Sequence, residues 1–438
     1  MPNQKLPVTG LDDINHRRRA REVLNQVLDH SFDESRVRTK AEVAAGVIPI
    51  NPAFHPLDVR RYGWSSSNTG AQNYEVLTKA LAVAAAFYDS GNGYGAHVTI
   101  PEGIYDLDGS IDIPAYVWLS GAGRLSTILR CATTGYLFRV GGPITSARKY
   151  GCKVSDLGIY LSHKDGHAFY LAETVAAVVE HIYAEGTTTA SRSNILVTVD
   201  GGNAASFFNY INDVEGLHFE TGFQLISSGA DKVTQTTFIN CSSFGDDTSF
   251  PNSVGFRLTD TQGQGSVWIG GNLEECGTGV LLENGCLAMS FYGLRCEGNT
   301  IDVEAEATAA SCSFIGCFVE QQALVINTGS RANFIGCVNG NTILGKQEIN
   351  GESHLRGMAT GANVLVVEGF PGDTTTETFR MVNSSSSRLF AVTNQGKIAR
   401  INNADPATVT GSRGGNAALA DLLTKLAATG IIVDGTTA

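Results

Sequence analysis

The sequence predicts an all-β protein whose main domain is a right-handed, single-stranded parallel β-helix. Two observations lead to this class. From Val98 to about Ile343, short apolar runs alternate with turns of Gly, Asn, Asp, Ser and Thr, and no helical periodicity interrupts them. Within the same range, a pattern of 20 to 35 residues repeats along the chain. Each coil of a β-helix buries its inward side chains only against the next coil, so a repeat of this kind indicates that fold.

The repeat is aligned on the valine or aromatic residue that opens each unit. Successive openings are 25, 35, 24, 30, 23, 23 and 20 residues apart, and the residue three positions later is almost always apolar. We expect both positions to face the core, and the longest units to carry enlarged loops of the kind that hold binding sites. The opening residues are Val154, Val179, Val214, Phe238, Trp268, Phe291, Phe314 and Phe334, and the residues three positions later are Leu157, Ile182, Leu217, Cys241, Gly271, Leu294, Cys317 and Cys337.

The chain before the β-helix has a different character. A helix is predicted from Asp12 to about His30, and its cluster of arginines is either a solvated face or a docking patch for an acidic partner. A second, short helix is predicted over Arg38–Gly46, followed by a linker that contains three prolines. Residues 1–57 are therefore predicted to form a separate helical N-terminal segment.

The predicted β-helix spans residues 58–345, and a helix over residues 73–89 is expected to cap its N-terminal end. An open apolar coil end would invite edge pairing, so it needs a cover. Residues 346–400 are predicted to form a C-terminal β segment, and residues 401–438 a closing helix and tail. The apolar face of that helix is too broad to stay exposed on a monomer, which predicts a trimer. This face consists of Leu419, Leu422, Leu423 and Leu426.

Composition disfavours several classes of protein. The net charge of −12 argues against a nucleic-acid partner. The nine cysteines are odd in number and form no CxxC pair, which favours reduced, buried thiols. The N-terminus has no signal-peptide pattern, and no run approaches the roughly 18 apolar residues of a membrane span, so no membrane insertion is expected. The histidines show no metal-ligand spacing, and neither a metal nor a cofactor is expected.

Several segments resemble phage and prophage tail proteins that carry a pectate-lyase-like β-helix. The resemblance lies in DVRRYGW, NYEVLTKALAVA and VTIPEGIYDLDGSIDIPAYVWLSGAGRLSTIL, in the lead-in RTKAEVAAGVIPINPAFHPLDVRRYG, and in the C-terminal VTGSRGGNAALADLLTKLAATGIIVDGTT. It implies a homotrimeric tailspike or tail fibre on a virion tail, made in the host cytoplasm and released by lysis. It also implies that residues 1–57 attach to virion tail or baseplate proteins. The β-helix of such proteins binds, and often cleaves, a bacterial surface polysaccharide.

Glutamate recurs six positions after the opening residues. Glu274, Glu297 and Glu320 fall on consecutive coils about 4.8 Å apart, so they would form a vertical row. Stacked like charges are unfavourable, so the row needs raised pKa values or a neutralising partner such as Arg295 or Arg257. A raised carboxyl pKa suits a glycosidase acid, and adjacent or alternate coils would give the spacing of a retaining or an inverting enzyme. The whole column is Tyr160, Glu185, Glu220, Phe244, Glu274, Glu297, Glu320 and Gly340.

The central Glu297 is predicted to be the catalytic acid of this row. Tyr292 and Arg295 on the same coil are predicted to hold the sugar, since ring faces stack on pyranoses. Asp246 and Asp247 lie in an enlarged coil and are predicted to be substrate-binding carboxylates. They are not expected to form a polygalacturonase-type pair, because the Gly-His-Gly and Arg-x-Lys partners of that family are missing. The competing interpretation of the row is a solvated stripe on the coil surface.

Three functions fit these observations. The first is a tailspike that recognises and depolymerises a capsule, O-antigen or exopolysaccharide during host adsorption. The second is a non-enzymatic receptor-binding or structural tail protein on the same fold. The third, a free secreted pectate lyase or polygalacturonase, is disfavoured by the missing signal and motifs. The sequence leaves open the identity of the sugar and the choice between hydrolase and lyase.

Overall fold

A computed structural model describes most of residues 32–344 and separate elements beyond them. The described ranges are 32–33, 36–87, 95–189, 191–246, 250–259, 262–283, 285–309, 311–320, 323–326, 332–335, 337–339, 342–344, 364–366, 377–382, 388–393, 398–401, 407–412, 416–428 and 432–437. The helix predicted from Asp12 to His30 lies outside these ranges. The chain divides into two compact units, Met1–Glu348 and Ile349–Ala438.

The first unit is a single-stranded parallel β-helix, which confirms the fold class that the repeat predicts. In each coil the chain passes through a first strand, a corner, a second strand, a turn and a third strand before it enters the next coil. Strands of successive coils pair in parallel. The first, second and third strands therefore stack into three ladders that enclose one apolar core.

The ladders share the following strands. The first ladder contains Ala96–Thr99, Val117–Ser120, Lys153–Leu161, Val178–Glu185, Tyr210–Leu217, Thr237–Ile239, Val267–Ile269, Ser290–Tyr292, Ser313–Ile315 and Asn333–Ile335. The second contains Gly103–Asp106, Thr127–Cys131, Ser242–Phe244, Asn272–Glu274, Arg295–Glu297, Phe318–Val319 and Cys337–Asn339, and the long strands of the first ladder continue into it. The third contains Ile111–Ile113, Gly135–Val140, Gly166–Ala172, Ile195–Asp200, Thr221–Ile226, Val254–Leu258, Thr278–Leu282, Ile301–Ala305 and Ala323–Ile326.

Shorter elements complete the first unit. The strands Lys149–Tyr150, Thr174–Val175, Ser206–Phe207 and Val233–Thr234 form a small fourth ladder. Thr342–Leu344 pairs antiparallel with Cys337–Asn339. Before the coils lie the antiparallel pair Phe32–Asp33 and Arg36–Val37, the helix Lys40–Ala44, the 3-10 helix Val59–Tyr62 and the helix Gly70–Phe87.

A residue with left-handed backbone forms the corner between the first and second strands in seven successive coils. The φ angles of these residues lie between 49° and 65°. Gly, Asn, Asp and His adopt this conformation more readily than other residues, and only these four types occupy the corner. The corner interrupts the strand alternation, so the inward residues on its two sides are three positions apart. The corner residues are Asp156, His181, Asp213, Asn240, Gly270, Gly293 and Gly316.

The structural register corrects the predicted alignment in one coil. The sequence pattern places Val214 at the opening position, but the structure pairs Ile211 with Val179 there. Both candidates are apolar and lie three positions apart across the corner residue Asp213, so the apolar pattern fits either choice. Val214 consequently replaces Leu217 in the inward column that follows the corner.

Aromatic rings stack along the core. The ring centroids of Phe291 and Phe314 are 4.6 Å apart with 4° between the planes, and those of Phe314 and Phe334 are 4.8 Å apart with 9°. These distances match the spacing of neighbouring strands, about 4.8 Å, so each ring fills the core of one coil. All nine cysteines lie in the described part and are buried and free. The predicted inward cysteines Cys241, Cys317 and Cys337 are among them.

The helix Gly70–Phe87 contacts the first strand of each ladder at the N-terminal end of the β-helix. A capping box sets its start: the Gln72 N–H donates to the Thr69 hydroxyl (3.3 Å), and the Thr69 N–H donates to the Gln72 side chain (2.9 Å). The predicted start at residue 73 misses this signal, and residues 88 and 89 lie outside the described ranges. The apolar face of the helix buries Val76, Leu77, Ala80, Leu81, Val83 and Ala84.

A buried ion pair joins the lead-in to the first coil. Arg61 donates from Nε to Glu42 Oε1 at 2.5 Å and from Nη2 to Oε2 at 3.0 Å. The Tyr62 hydroxyl donates to the same carboxylate (3.1 Å), and the side chains of Glu42 and Arg61 are 0% and 4% exposed. Glu42 also closes a capping box with Thr39 at the start of the helix Lys40–Ala44. The pair therefore holds this helix against the residues that enter the β-helix.

The second unit contains a four-stranded antiparallel sheet and a strand–helix–strand element. The sheet strands, in chain order, are Val364–Val366, Glu377–Val382, Arg388–Thr393 and Ile398–Ile401. Ala407–Ser412 and Ile432–Thr437 pair in parallel, and the helix Ala417–Ala428 lies between them in the chain. Within the predicted apolar face of this helix, Leu423 is buried, whereas Leu419 and Leu422 are exposed.

Glu42→Gln should lower the free energy of unfolding by about 3 kcal/mol, because it leaves the Arg61 charge buried without its partner. Burial by itself raises the pKa of Glu42, but hydrogen bonds from Arg61 and the Thr39 N–H, with the Arg61 charge, outweigh it and hold the pKa below its ordinary value. A lowered carboxyl pKa gives stability above the unfolded-state pKa, and this stability is lost as pH falls through the folded-state pKa. The variant and the parent should therefore converge in acid, which denaturant titrations at neutral and acid pH measure.

Glu75→Gln is the matched control, since Glu75 pairs with Lys79 on the exposed face of the helix Gly70–Phe87. We expect it to leave the unfolding midpoint unchanged. Equal losses in the two variants, or a Glu42→Gln protein as stable as the parent at neutral pH, would contradict the role of the buried pair.

Candidate active site

Three glutamates stack where the second strands end. Glu274 is the register partner of Glu297 on the next coil. Glu320 extends the row, because its N–H donates to the carbonyl of Cys296, the residue before Glu297 (3.1 Å). Coils about 4.8 Å apart give the row a length of about 10 Å. The structure thus brings the three predicted glutamates together.

The three carboxylates of this glutamate row have two kinds of neighbour, the Arg295 guanidinium and a backbone N–H. Arg295 Nη2 forms an ion pair with Glu297 Oε2, and Arg295 Nη1 lies 3.8 Å from Glu274 Oε1. Glu320 Oε2 accepts a hydrogen bond from the Gly298 N–H (2.7 Å). Arg295 precedes Glu297 by two positions on one strand, so both side chains leave the same face. The predicted neutralising role of Arg295 is therefore present in the geometry.

Glu274 differs from the other two glutamates. Its side chain is 20% exposed, and its Oε1 has no hydrogen-bond partner among the described residues. Burial raises the pKa of this carboxyl above its ordinary value, the neighbouring carboxylates raise it further, and the Arg295 charge opposes them. The sequence favours Glu297 as the acid. In the structure the carboxyl with the raised pKa is that of Glu274, whereas Glu297 forms an ion pair with a guanidinium.

Two residues expected near the row lie elsewhere. Arg257 is on the third ladder, with its Nε 3.5 Å from Glu283 Oε1. Tyr292 lies on the first ladder, before the corner, and its register partners on the neighbouring coils are Ile269 and Ile315. The half-exposed Tyr292 ring therefore belongs to an apolar column of the first ladder, and its part in holding the sugar stays a prediction.

Asp246 lies one coil before Glu274. It follows the strand Ser242–Phe244, whose last residue is the register partner of Glu274, and the Phe250 N–H donates to the Asp246 carbonyl (2.7 Å). Asp246 thus occupies the turn beside the glutamate row. Asp247 lies outside the described residues, so its part in substrate binding stays a prediction.

Glu220 is not a member of the row, contrary to the sequence alignment. Leu217 occupies that position, where it is the register partner of Glu185 and of Phe244. Glu220 lies three residues further along, in the turn before the strand Thr221–Ile226. The cause is the three-residue ambiguity of the register in this coil.

Sequence reasoning also missed a buried arginine beside this turn. The Arg192 side chain comes from the loop of the preceding coil, is 4% exposed, and lies 3.2 Å from the ring centroid of Phe250 in the loop of the following coil. Its Nε and Nη2 have no hydrogen-bond partner among the described residues. Burial lowers the pKa of Arg192 and raises that of Glu220, and their opposite charges oppose both shifts. The signal that could have found this cluster is the two longest repeat units, which contain these loops.

The row offers carboxylates and one guanidinium for chemistry. Within the part of the chain that the structure describes, no group of three His, Cys, Asp or Glu side chains is arranged to hold a metal ion. None of the described helices is both long enough and apolar enough to cross a membrane.

Comparison with known proteins gives structural similarity at low sequence identity. No family model and no curated protein sequence matches the chain. Tailspike protein 2 of bacteriophage CBA120, in its enzymatically active domain, is similar with a TM-score of 0.47 and 11% identity, over 67% of this chain and 44% of that chain. The tailspike protein of Acinetobacter phage vB_ApiP_P1 is similar with a TM-score of 0.42 and 11% identity, over 83% and 81% of the two chains.

A third similar structure is the A-module of a mannuronan C-5 epimerase of Azotobacter vinelandii, with a TM-score of 0.37 and 13% identity, over 64% of this chain and 95% of that chain. This chain aligns with 44% of the CBA120 tailspike structure and so spans less than half of its length. Similarities of this size carry no argument about activity.

Arg295→Gln should raise the pKa of Glu274 further, because the guanidinium is the group that opposes its protonation. The carboxyl resonance of isotope-labelled glutamate, followed against pH, measures this change, and Glu274→Gln assigns the signal by removing it. Arg130→Gln is the control, since Arg130 pairs with Asp106 (2.9 Å) near the N-terminal end of the second ladder. A Glu274 titration that is unchanged in Arg295→Gln, or that moves to lower pH, would show that the guanidinium does not act on this carboxyl.

Proposed function

We propose that the protein is a phage tailspike or tail fibre that binds and depolymerises a bacterial surface polysaccharide during host adsorption. The observation that carries this proposal is the pair Glu274 and Glu297 on adjacent coils, in which Glu297 forms an ion pair with Arg295 while burial raises the pKa of Glu274. A glycoside hydrolase needs one carboxyl that gives a proton and a second that stays ionised. The resemblance of the lead-in and first coils to phage tail proteins supports a capsule, O-antigen or exopolysaccharide as the substrate.

The pair supports a retaining hydrolysis. Glu274 gives its proton to the glycosidic oxygen as the bond from this oxygen to the anomeric carbon breaks. The ionised Glu297 attacks that carbon and forms a glycosyl ester. Glu274 then takes a proton from the water that hydrolyses the ester, and the two carboxyls return to their first state. Adjacent coils place the pair about 5 Å apart, as in retaining enzymes, whereas Glu274 and Glu320 are about 10 Å apart, at the upper limit of inverting ones.

A second candidate is a tail protein that binds its receptor without cleaving it. The ion pair of Arg295 with Glu297, beside Glu274, favours this candidate, because it accounts for the stacked carboxylates without any catalysis. The polysaccharide would then be held by the coil surface and released unchanged.

The proposed assembly is a homotrimer that contacts itself through the first ladder. One outward column of this ladder is apolar on five consecutive coils, a length of about 19 Å between the first and last coil. Contiguous exposed apolar surface of this kind marks contacts between proteins. We call this column the isoleucine stripe, and it consists of Ile239, Ile269, Tyr292, Ile315 and Ile335.

The proposed location is the virion tail, where residues 1–57 would attach to tail or baseplate proteins. The buried pair of Glu42 and Arg61 supports this arrangement, because it fixes the end of the N-terminal segment to the first coil. A rigid junction of this kind would hold the β-helix at a defined angle to whatever the first residues bind.

Glu274→Gln and Glu297→Gln should each lower the release of reducing ends from host polysaccharide by about a thousandfold, because one removes the proton donor and the other the nucleophile. Oligomer formation and polysaccharide binding should persist in both variants. Glu304→Gln is the matched control, since Glu304 lies in the third strand of the same coil as Glu297 and should retain cleavage.

Three results would overturn or replace the hydrolase. Unchanged cleavage in the Gln variants of Glu274, Glu297 and Glu320 would make the row a surface stripe. Saturable binding without cleavage by the parent protein would establish the second candidate. A product that absorbs as an unsaturated sugar would replace hydrolysis with elimination.

Ile269→Lys should dissociate the trimer at concentrations where the parent stays assembled, because it buries an unpaired charge in the isoleucine stripe. Light scattering coupled to size-exclusion chromatography measures the mass of both proteins. Leu125→Lys is the control, since Leu125 is 70% exposed in a turn away from the first ladder. A monomeric parent protein, or an Ile269→Lys trimer as stable as the parent, would exclude this interface.

A further inference from the structure

The outer surface of the N-terminal coils carries a groove that the proposed chemistry does not use. Its volume is about 210 Å³. It lies at the start of the first ladder, five coils before the coil of Glu274, which corresponds to about 24 Å along the axis. The residues that form it include Tyr116, Trp118, Gly151, Lys153, Ala176 and Val178.

The register explains why there is a groove at this place. Trp118, Lys153, Val178 and Tyr210 are successive register partners on the outer face of the first ladder. Two residues before them, in the same order, stand Tyr116, Gly151, Ala176 and Phe208, and each has a φ between 56° and 61°. Each column thus begins and ends with an aromatic residue and has non-aromatic residues on the two coils between. The two coils that carry the aromatic residues are three coil spacings apart, about 14 Å, and the two coils between them form the floor of the groove.

The lower wall of the groove is rigid and accessible. Trp118 is 46% exposed, and its Nε1 donates to the Gly151 carbonyl (3.1 Å), which fixes the plane of the indole. Tyr116 stacks on Tyr150, with 6.2 Å between the ring centroids and 11° between the planes. Phe208 follows Phe207, the register partner of Val175, so its 56% exposed ring lies on the coil after that of Ala176. At the groove itself, hydrogen bonding and stacking hold the exposed Trp118 and the half-buried Tyr116 in defined orientations, which suits binding of a flat apolar face.

The backbone supports a role for these rings beyond folding. Tyr116 and Phe208 have left-handed backbone, which bulky side chains adopt rarely and at an energetic cost. The Phe208 ring is 56% exposed, and it contacts the Phe207 ring edge to face at 5.2 Å between centroids. Later coils place smaller or more flexible residues at the same position, namely Gln235, Gly265, Ala288 and Ser311.

The polar groups of the groove define the charge of its ligand. Lys153 Nζ lies 2.5 Å from Glu180 Oε1, so its charge is already paired, and it lies 5.7 Å from the Trp118 ring. His97 stands beside Trp118 and donates to or accepts from Ser120 (2.7 Å), and burial lowers its pKa. Among the residues that the structure describes, the groove therefore offers ring faces and hydrogen-bonding groups, and the one charged side chain that lines it, Lys153, is already paired.

We propose that this groove binds a neutral hexopyranose unit and acts as a second polysaccharide site, distant from the glutamate row. The apolar CH face of a pyranose matches the indole of Trp118, while its hydroxyls match the ion pair of Lys153 and Glu180. The identity of the polymer rests on the proposed function. Binding of a single sugar at the groove is a property of the groove alone, so the two proposals can fail separately.

Fluorescence quenching by acrylamide reports on this groove in the full chain. The protein has three tryptophans, and Trp64 and Trp268 are buried at 5% and 0% exposure, so the accessible signal comes from Trp118. The probes are the methyl pyranosides of glucose, galactose and mannose, at up to about 100 mM because a single sugar binds weakly. We expect at least one of them to lower the acrylamide quenching constant of Trp118 about twofold, and we call this decrease protection. Sodium glucuronate and myo-inositol, one charged and one without an anomeric centre, should leave it unchanged.

Three variants test the groove. Phe208→Ala removes the exposed ring on the coil after that of Ala176 and keeps the Trp118 reporter, so protection by the effective sugar should be lost. Leu125→Ala, which shortens an exposed side chain in a turn outside the groove, should keep full protection. Glu297→Gln should also keep it, even if cleavage is abolished.

The proposal is overturned if none of the three pyranosides protects Trp118, or if protection is the same in Phe208→Ala. Protection by glucuronate and by none of the pyranosides would contradict the proposal that the ligand is neutral. A Trp118 that acrylamide cannot reach in the free protein would show that a second copy covers the groove. If the parent protein cleaves polysaccharide but no pyranoside protects Trp118, the second site is excluded and the proposed function stands. If a pyranoside protects Trp118 but the protein cleaves no polysaccharide, the catalytic role of the glutamate row is excluded and the second site stands.

Discussion

Parallel hydrogen bonding between coils about 4.8 Å apart is the constraint on which the other features of this protein depend. Because strands of successive coils pair in register, each position of a coil is repeated directly above and below itself. The side chains at one position of successive coils must therefore tolerate contact with one another. Apolar rings satisfy this condition by stacking, as Phe291 and Phe314 do. Corner residues satisfy it by sharing one left-handed conformation through seven coils.

Stacked carboxylates satisfy the same condition only when other groups offset the repulsion between them. Register brings Glu274 and Glu297 together, and the repulsion between them is relieved in two ways. Arg295 neutralises Glu297, and partial burial favours the protonated form of Glu274. The asymmetry that acid–base chemistry needs thus follows from stacking like groups beside a single cation. This is also why the row admits a purely structural explanation until cleavage is measured.

The departures from the repeat hold the features most suited to binding. Enlarged loops bring Arg192 and Phe250 together across the turn that holds Glu220. A change of residue size within two columns, from rings to small residues and back, produces the groove beside Trp118. A uniform repeat would give a smooth surface, so the concave features of this protein lie in the coils in which the pattern changes. The apolar isoleucine stripe shows the opposite case, in which a uniform column suits contact with a second copy.

The sequence by itself determined the coil architecture, because the spacing of Phe291, Phe314 and Phe334 repeats with the period of one coil. It also determined the glutamate row and the three buried cysteines Cys241, Cys317 and Cys337, since these positions lie at constant offsets from the residue that opens each repeat. Residue type and spacing were sufficient to predict a column where only one position in the coil fits that residue type. The register of the coil that contains Ile211 and Val214 could not be chosen, because both are apolar and a corner separates them by the spacing of the repeat.

Only the tertiary structure decided which side chains from different coils meet. It moved Glu220 out of the column that contains the row, placed Tyr292 in the apolar column of the first ladder, and surrounded Glu274 with groups that raise its pKa. The contact of Arg192 with Phe250 joins residues from loops of unequal length, whose positions no periodic pattern specifies. The physical reason is that periodicity fixes columns, whereas burial and charge at one point depend on how neighbouring columns and loops pack around it.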